Sequence, residues 1–187
     1  MKFYIIRHGQ TNWNKKGKIQ GKTDIELNEE GIEQAKEARK ILENYPIDMI
    51  VASPLKRARK TAEIINETRK APIVFDKALE ERGFGDFEGK IRKEIHDEIL
   101  DSEILDNYSL NKEYKGVETI RSLCDRVWGL IEKLKKSYAD KNILLVTHGG
   151  VTRAISGYFN GPNENGILED LDLKNCEIRT YEIKEEK

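Results

Sequence analysis

Three short apolar runs in this chain each lead straight into residues able to handle an anion. Phe3–Ile6 precedes Arg7-His8-Gly9, Met49–Ala52 precedes Ser53-Pro54 with Arg57 just beyond, and Ile143–Val146 precedes Thr147-His148-Gly149-Gly150. A fourth run, Ile73–Phe75, heads toward Leu79-Glu80-Glu81. Guanidinium groups offer a planar fork matched to phosphate oxygens. A neutral imidazole nitrogen can attack phosphorus and form a covalent intermediate that divides one hard step into two. Phosphoryl transfer asks mainly for positioning and for positive charge around the equatorial oxygens. Two Arg and a second His supply that charge, so no metal is expected. The chain shows neither a P-loop pattern nor an aspartate-rich magnesium motif.

The elements must bring these groups together. Apolar runs without alternation suit strands of a parallel sheet covered on both faces. Between them lie helical stripes. Asn28 is a good N-cap, followed by Glu29 and Glu30 in the positive first turn and by Ile32, Ala35, Ala38 and Leu42 on one face. Ser53 as cap with Pro54 at the first helical position predicts a second helix, striped by Leu55, Ala58, Ala62 and Ile65. A third stripe runs through Ile120, Leu123, Val127, Ile131 and Leu134. Strand–helix alternation with right-handed crossovers predicts an α/β fold, a three-layer α/β/α sandwich with a mostly parallel sheet. Residues 176–183 read as a last, antiparallel edge strand that could pair between subunits as a homodimer. Residues 1–187 read as a single domain, with a charged helical insertion or lid at about 90–115. In open α/β sheets ligands bind beyond the carboxyl ends of the strands. Parallel, adjacent strands would therefore gather His8, Arg7, Arg57 and His148 at one sheet edge.

Composition narrows the partners. The 187 residues hold 33 basic and 34 acidic side chains, a formal charge of −1. No basic excess draws the chain to nucleic acid or to an anionic membrane. Cys124 and Cys176 lie far apart, which fits a reduced cytoplasmic setting and no structural metal. The opening apolar run is too short for a secretory segment, and no later run could span a bilayer. Cys124, Trp13 and Trp128 read as packing residues.

Arg7-His8-Gly9-Gln10-Thr11 resembles the signature of the histidine phosphatase superfamily in its phosphoglycerate mutase-like branch. Asn14, the Ser53–Ala58 segment, Leu79-Glu80-Glu81 with Phe84–Gly89, and Thr147–Gly150 resemble further motifs of that family in the same order, over residues 3 to about 155. The resemblance implies that His8 is the phosphorylated nucleophile. It implies that Arg7, Arg57 and His148 hold phosphoryl oxygens, with Asn14 and Gly149 assisting. It also implies that Glu81 gives a proton to the leaving oxygen and then acts as base toward water. Residue chemistry alone leaves Glu80, Glu81 and Glu88 open for that last role.

The expected activity is a phosphomonoesterase acting on a small phosphorylated metabolite, with no cofactor, as in small phosphatases such as α-ribazole phosphatase. Two alternatives share the pocket: a cofactor-dependent phosphoglycerate mutase, and a non-catalytic regulator that binds a phosphate ligand. The family's mutases are longer after the acidic motif and tend to carry Asn where this chain has Gly150, which favours hydrolysis. Tyr108, Tyr114, Arg92, Lys112 and Lys115 are candidates for selecting the substrate.

Overall fold

The computed structural model describes residues 1–95, 107–114, 116–169 and 173–183. Its five-stranded sheet has the order β3-β2-β4-β1-β5. The strands are β1 (Lys2–Arg7), β2 (Met49–Ala52), β3 (Ile73–Phe75), β4 (Asn142–Thr147) and β5 (Ile178–Glu182). β1 pairs in parallel with β4, β4 with β2 and β2 with β3. β5 runs antiparallel to β1 at the edge. The apolar runs of β1, β2 and β4 are buried on both faces, as their lack of alternation requires.

Alternate strand residues point to opposite layers. Tyr4, Ile6, Ile50, Ala52, Leu144 and Val146 pack with α2 (Glu29–Leu42) and α3 (Lys56–Arg69) through Ala38, Leu42, Ala58, Ala62 and Ile65. Phe3, Ile5, Met49, Val51, Ile143 and Leu145 face α4 (Ile120–Ser137) and α5 (Gly149–Asn160). Each fully buried Ile, Leu or Phe contributes about 1.5–3 kcal/mol of transfer free energy, so these two interfaces hold the layers together. Among the described residues, no helix is long and apolar enough to cross a membrane.

Two expectations need correction. Ser53 is not the cap of α3; the helix starts two residues later, at Lys56, with Leu55 at the N-cap and no side-chain cap bond. The Ser53 hydroxyl is turned toward His148 instead. β3 is not covered on both faces, since it lies at the sheet edge with Val74 and Phe75 exposed. Within the helical insertion expected at 90–115, the described residues include a 3₁₀ helix, Arg92–Ile95, and isolated bridges from Ile91 to Lys18, Asn107 to Ile167 and Tyr114 to Val117. Residues 96–106 lie outside the described residues. Among the described residues, two α-helices carry no sequence forecast: α1 (Asn12–Lys15), one turn long, and α5, which opens on two glycines.

Candidate active site

Three of the four parallel strands, β1, β4 and β2, end side by side, and their carboxyl ends carry the candidate groups. Arg7 closes β1, His8 follows it, Ser53 follows β2, Arg57 sits in the first turn of α3, and His148 joins β4 to α5. The rings of His8 and His148 lie 5.1 Å apart, centroid to centroid, at 59°. Arg57 and His148 are fully buried, and His8 is only 2% exposed.

The His8 loop is held from several sides. Gly9 donates to Thr61 Oγ1 (3.1 Å), Gln10 donates to Gln34 Oε1 (2.9 Å), and Asn175 Nδ2 donates to the His8 carbonyl (2.8 Å). Gly9 and Gly31 approach so closely that a Cβ on Gly9 would run into the Gly31 carbonyl oxygen, which seats the loop on the start of α2. His8 Nδ1 lies 2.7 Å from the Gly9 carbonyl oxygen. A carbonyl only accepts, so Nδ1 carries the proton and Nε2 keeps the free lone pair.

Around this ring, donors stand without partners. Arg57 spends Nη1 on the Thr23 carbonyl (2.9 Å) and Nη2 on the Gly21 carbonyl (2.8 Å), and its Nε is buried and unpaired. Arg7 gives Nη1 to the Leu173 carbonyl (2.8 Å), and its Nε is likewise buried and unpaired. His148 Nε2 lies 2.8 Å from Ser53 Oγ, while its Nδ1 has no partner. The Ser53 hydroxyl accepts the Leu55 N–H (3.3 Å) and can donate to Nε2, the tautomer that leaves Nδ1–H facing the site. Each unpaired buried donor costs about 1–3 kcal/mol. Three of them beside one imidazole form a cradle for an anion.

Asn14 lines the same cavity. Its Oδ1 is taken by the Thr11 N–H and hydroxyl, both at 3.1 Å, so the amide NH₂ is the end left for a ligand. Gly149 begins α5 against Arg7; a Cβ there would lie 3.7 Å from the Arg7 Cζ.

Of the three carboxylates left open by the sequence, only Glu81 lines the cavity with Arg7 and His8. Glu88 instead accepts from Lys22 and Phe84 N–H groups and from Thr23, tying two loops together. The Glu81 carboxylate accepts the Gly150 N–H at 3.1 and 3.3 Å and the Arg82 N–H at 2.9 Å. A Cβ on residue 150 would stand 2.5 Å from Glu81 Oε1, so only glycine leaves the carboxylate this position.

Two residues of α4 and its approach escaped the sequence reading. Arg126 donates to the carbonyls of Ala78, Glu80 and Glu81 and twice to Glu118, spending all five of its N–H groups. It thereby fixes the loop that presents Glu81. Nothing in local spacing signals this, because the partners lie more than forty residues away. Of the proposed selectors, Arg92 lines the cavity. Tyr108 stacks on Trp128 at 5.2 Å, and Tyr114 stacks on Phe87 at 5.9 Å; neither they nor Lys112 line it. Lys115 lies outside the described residues. Among the described residues, no group of three or more His, Cys, Asp or Glu side chains could hold a metal ion.

Burial pushes the His8 ring well below the ordinary 6.5, and Arg57 and Arg7 push it further. His148 is lowered first by burial and then by Arg57, His8 and Arg7. Both rings are neutral at neutral pH. Above 6.5 neither folded nor unfolded chain protonates them; below it, the unfolded chain takes up protons that the native one refuses. Stability should therefore fall as pH drops from 6.5 toward the depressed native values, by up to about 1.4 kcal/mol per pH unit for each ring. Urea unfolding between pH 7.5 and 5.5 would measure this slope. His8→Asn and His148→Asn should each lower it, and a slope unmoved by either change would mean that the native rings are protonated.

The family model described as Histidine phosphatase superfamily (branch 1) matches residues 3–187. The Uncharacterized phosphatase PhoE of Bacillus subtilis is 38% identical over 183 residues, spanning 98% of this chain and 89% of that protein. A 2,3-bisphosphoglycerate-dependent phosphoglycerate mutase of Cytophaga hutchinsonii is 33% identical over 96% of this chain and 86% of its own. Among solved structures, Bacillus stearothermophilus YhfR superposes with a TM-score of 0.87 at 28% identity, over 98% of this chain and 92% of that one.

Proposed function

The chain belongs to the histidine phosphatase superfamily and is a phosphatase, and from that premise we propose that it hydrolyses a small phosphorylated metabolite through a phosphohistidine on His8. The observation that carries this reading is the set of unpaired buried donors on Arg7, Arg57 and His148 around an imidazole whose Nε2 lone pair is free. The phosphoryl oxygens take those donors, with Asn14 and the Gly149 end of α5 at the margin. The His8 Nε2 lone pair forms a bond to phosphorus in line with the ester oxygen. The P–O bond breaks, and its electron pair stays on the leaving oxygen, which takes a proton from the Glu81 carboxylic acid. A water oxygen then attacks phosphorus and yields its proton to the Glu81 carboxylate. The P–N bond breaks, its pair returns to Nε2, and inorganic phosphate leaves.

Turnover in ¹⁸O-labelled water tests the reading. A phosphate ester supplied without any bisphosphate primer should release phosphate carrying one solvent oxygen, in the presence of a chelator as in its absence. The mutase relative keeps the competing outcome concrete: conversion of one phosphoglycerate into another with no label in phosphate would replace hydrolysis by isomerisation.

A further inference from the structure

Arg57 is fully buried, yet the bonds its fork makes go to main-chain carbonyls, those of Gly21 and Thr23, and not to a carboxylate. A buried cation without a counter-charge is costly. The counter-charge stands one peptide away. The Lys22 N–H, which shares a peptide group with the Gly21 carbonyl, donates to Glu88 Oε1 (3.0 Å), while that carbonyl accepts Arg57 Nη2 (2.8 Å). The peptide is trans, so its N–H and C=O point in opposite directions. Carboxylate and guanidinium therefore sit on opposite sides of one peptide, the anion on its N–H and the cation on its C=O. The Thr23 main chain repeats the arrangement one residue on. Its N–H donates to Glu88 Oε2 (2.9 Å), its hydroxyl donates to the same oxygen, and its carbonyl takes Arg57 Nη1 (2.9 Å). The Phe84 N–H gives Oε1 another bond (3.0 Å). Hydrogen bonds in such a chain polarise one another, by about 10–30% per bond.

The carboxylate lies hard against this loop. Gly21 has φ +53°, and a Cβ there would fall 1.9 Å from Glu88 Oε1. The other carboxylates near Arg57 have other work. Asp24 accepts the Lys56 N–H at the start of α3 (2.7 Å). Glu81 changes its protonation in the cycle proposed above. Burial pulls the Arg57 guanidinium below its ordinary value, and the charges of Glu81, Asp24 and Glu88 oppose it. Burial alone would raise the Glu88 carboxyl, but the bonds from Thr23, Phe84 and Lys22 outweigh it and hold the group below its ordinary value. Glu88 thus stays ionised while Glu81 gains and loses its proton.

We propose that Glu88 is a positioning residue for the phosphoryl site: acting through the Gly21–Lys22 peptide and the Thr23 main chain, its carboxylate fixes the Arg57 fork and so aims the unpaired Arg57 Nε at a phosphoryl oxygen. The inference rests on the phosphatase reading for the identity of the anion, and on hydrogen bonds alone for the link to Arg57.

Glu88→Gln keeps the length of the side chain and one oxygen acceptor but removes the charge. In ¹⁵N–¹H spectra of the free protein, the Arg57 Nη–H signals, assigned by their loss in Arg57→Lys, should be separate, because both Nη groups are held. In Glu88→Gln they should move upfield and coalesce. Glu88→Asp draws the charge back by one methylene and should move the same signals the same way by less, so it decides the matter if Glu88→Gln does not fold. Inorganic phosphate, titrated calorimetrically, should bind about tenfold more weakly to Glu88→Gln. The same change should cost less than about twofold in an Arg57→Lys background and still about tenfold in Asn14→Ala. A merely loosened loop would weaken binding alike in all three backgrounds. Arg57 signals unmoved in the folded variants, or an equal loss in the Arg57→Lys background, would overturn the proposal. If no phosphate ester is turned over while spectra and titrations come out as expected, the phosphatase reading fails and the role of Glu88 stands. If esters are turned over and the signals do not move, the role of Glu88 fails by itself.

Discussion

His8→Asn should cut turnover of any phosphate ester by about 10⁴-fold or more, because removing a nucleophile removes both half-reactions at once. Asparagine can keep a polar contact near Gly9 but offers no lone pair able to form a P–N bond. In the unaltered protein, a brief incubation with labelled ester followed by acid and base treatment should find label that is acid-labile and base-stable, on His8. The variant should show none, while phosphate still binds to Arg7, Arg57 and His148 and raises the melting temperature. Persistent turnover in a folded His8→Asn protein would remove the covalent step from the mechanism.

Glu81→Gln should separate the two half-reactions. Glutamine can neither give a proton to a leaving oxygen nor take one from water. An alkyl ester, whose alkoxide leaves poorly, should lose about 10²–10⁴-fold in kcat, the usual worth of positioned acid–base catalysis. A nitrophenyl ester needs no proton on departure. It should give a stoichiometric burst of nitrophenol followed by a slow phase, because water then meets the phosphohistidine without a base. Loss of the burst along with the steady state would assign Glu81 to binding instead of proton transfer.

The fold was legible wherever pattern and position agree. Buried runs such as Phe3–Ile6 and Ile143–Val146 have no polar face to expose, so a covered parallel sheet is the arrangement left to them. The α4 stripe from Ile120 to Leu134 states its own period, and all five of its residues are buried. Topology then brings the site together without further information, because parallel strands in adjacent places must end at the same edge. What could not be read depends on contacts remote in sequence. Ser53 before Pro54 carries every local mark of a helix cap, yet a histidine 95 residues later claims its hydroxyl. The choice of Glu81 over Glu80 and Glu88 came from the family likeness, and the cavity lining gives a separate, spatial reason for it. Arg126 and Glu118 resembled ordinary charges of an amphipathic helix and its approach. The helix after His148 went unread because its two leading glycines are weak helix formers, although they leave room there for Arg7 and for Glu81.

The grip of Arg126 on the carbonyls of Ala78, Glu80 and Glu81 has a bearing on the order of events. A carboxyl anchored to a braced segment has one station from which to work. In the proposed cycle, the oxygen that departs with the alcohol and the oxygen that arrives with water then occupy the same place in turn, on the same side of phosphorus. On that mechanism the alcohol clears the place before water enters it, and exchange of these two small molecules divides the first half of the cycle from the second.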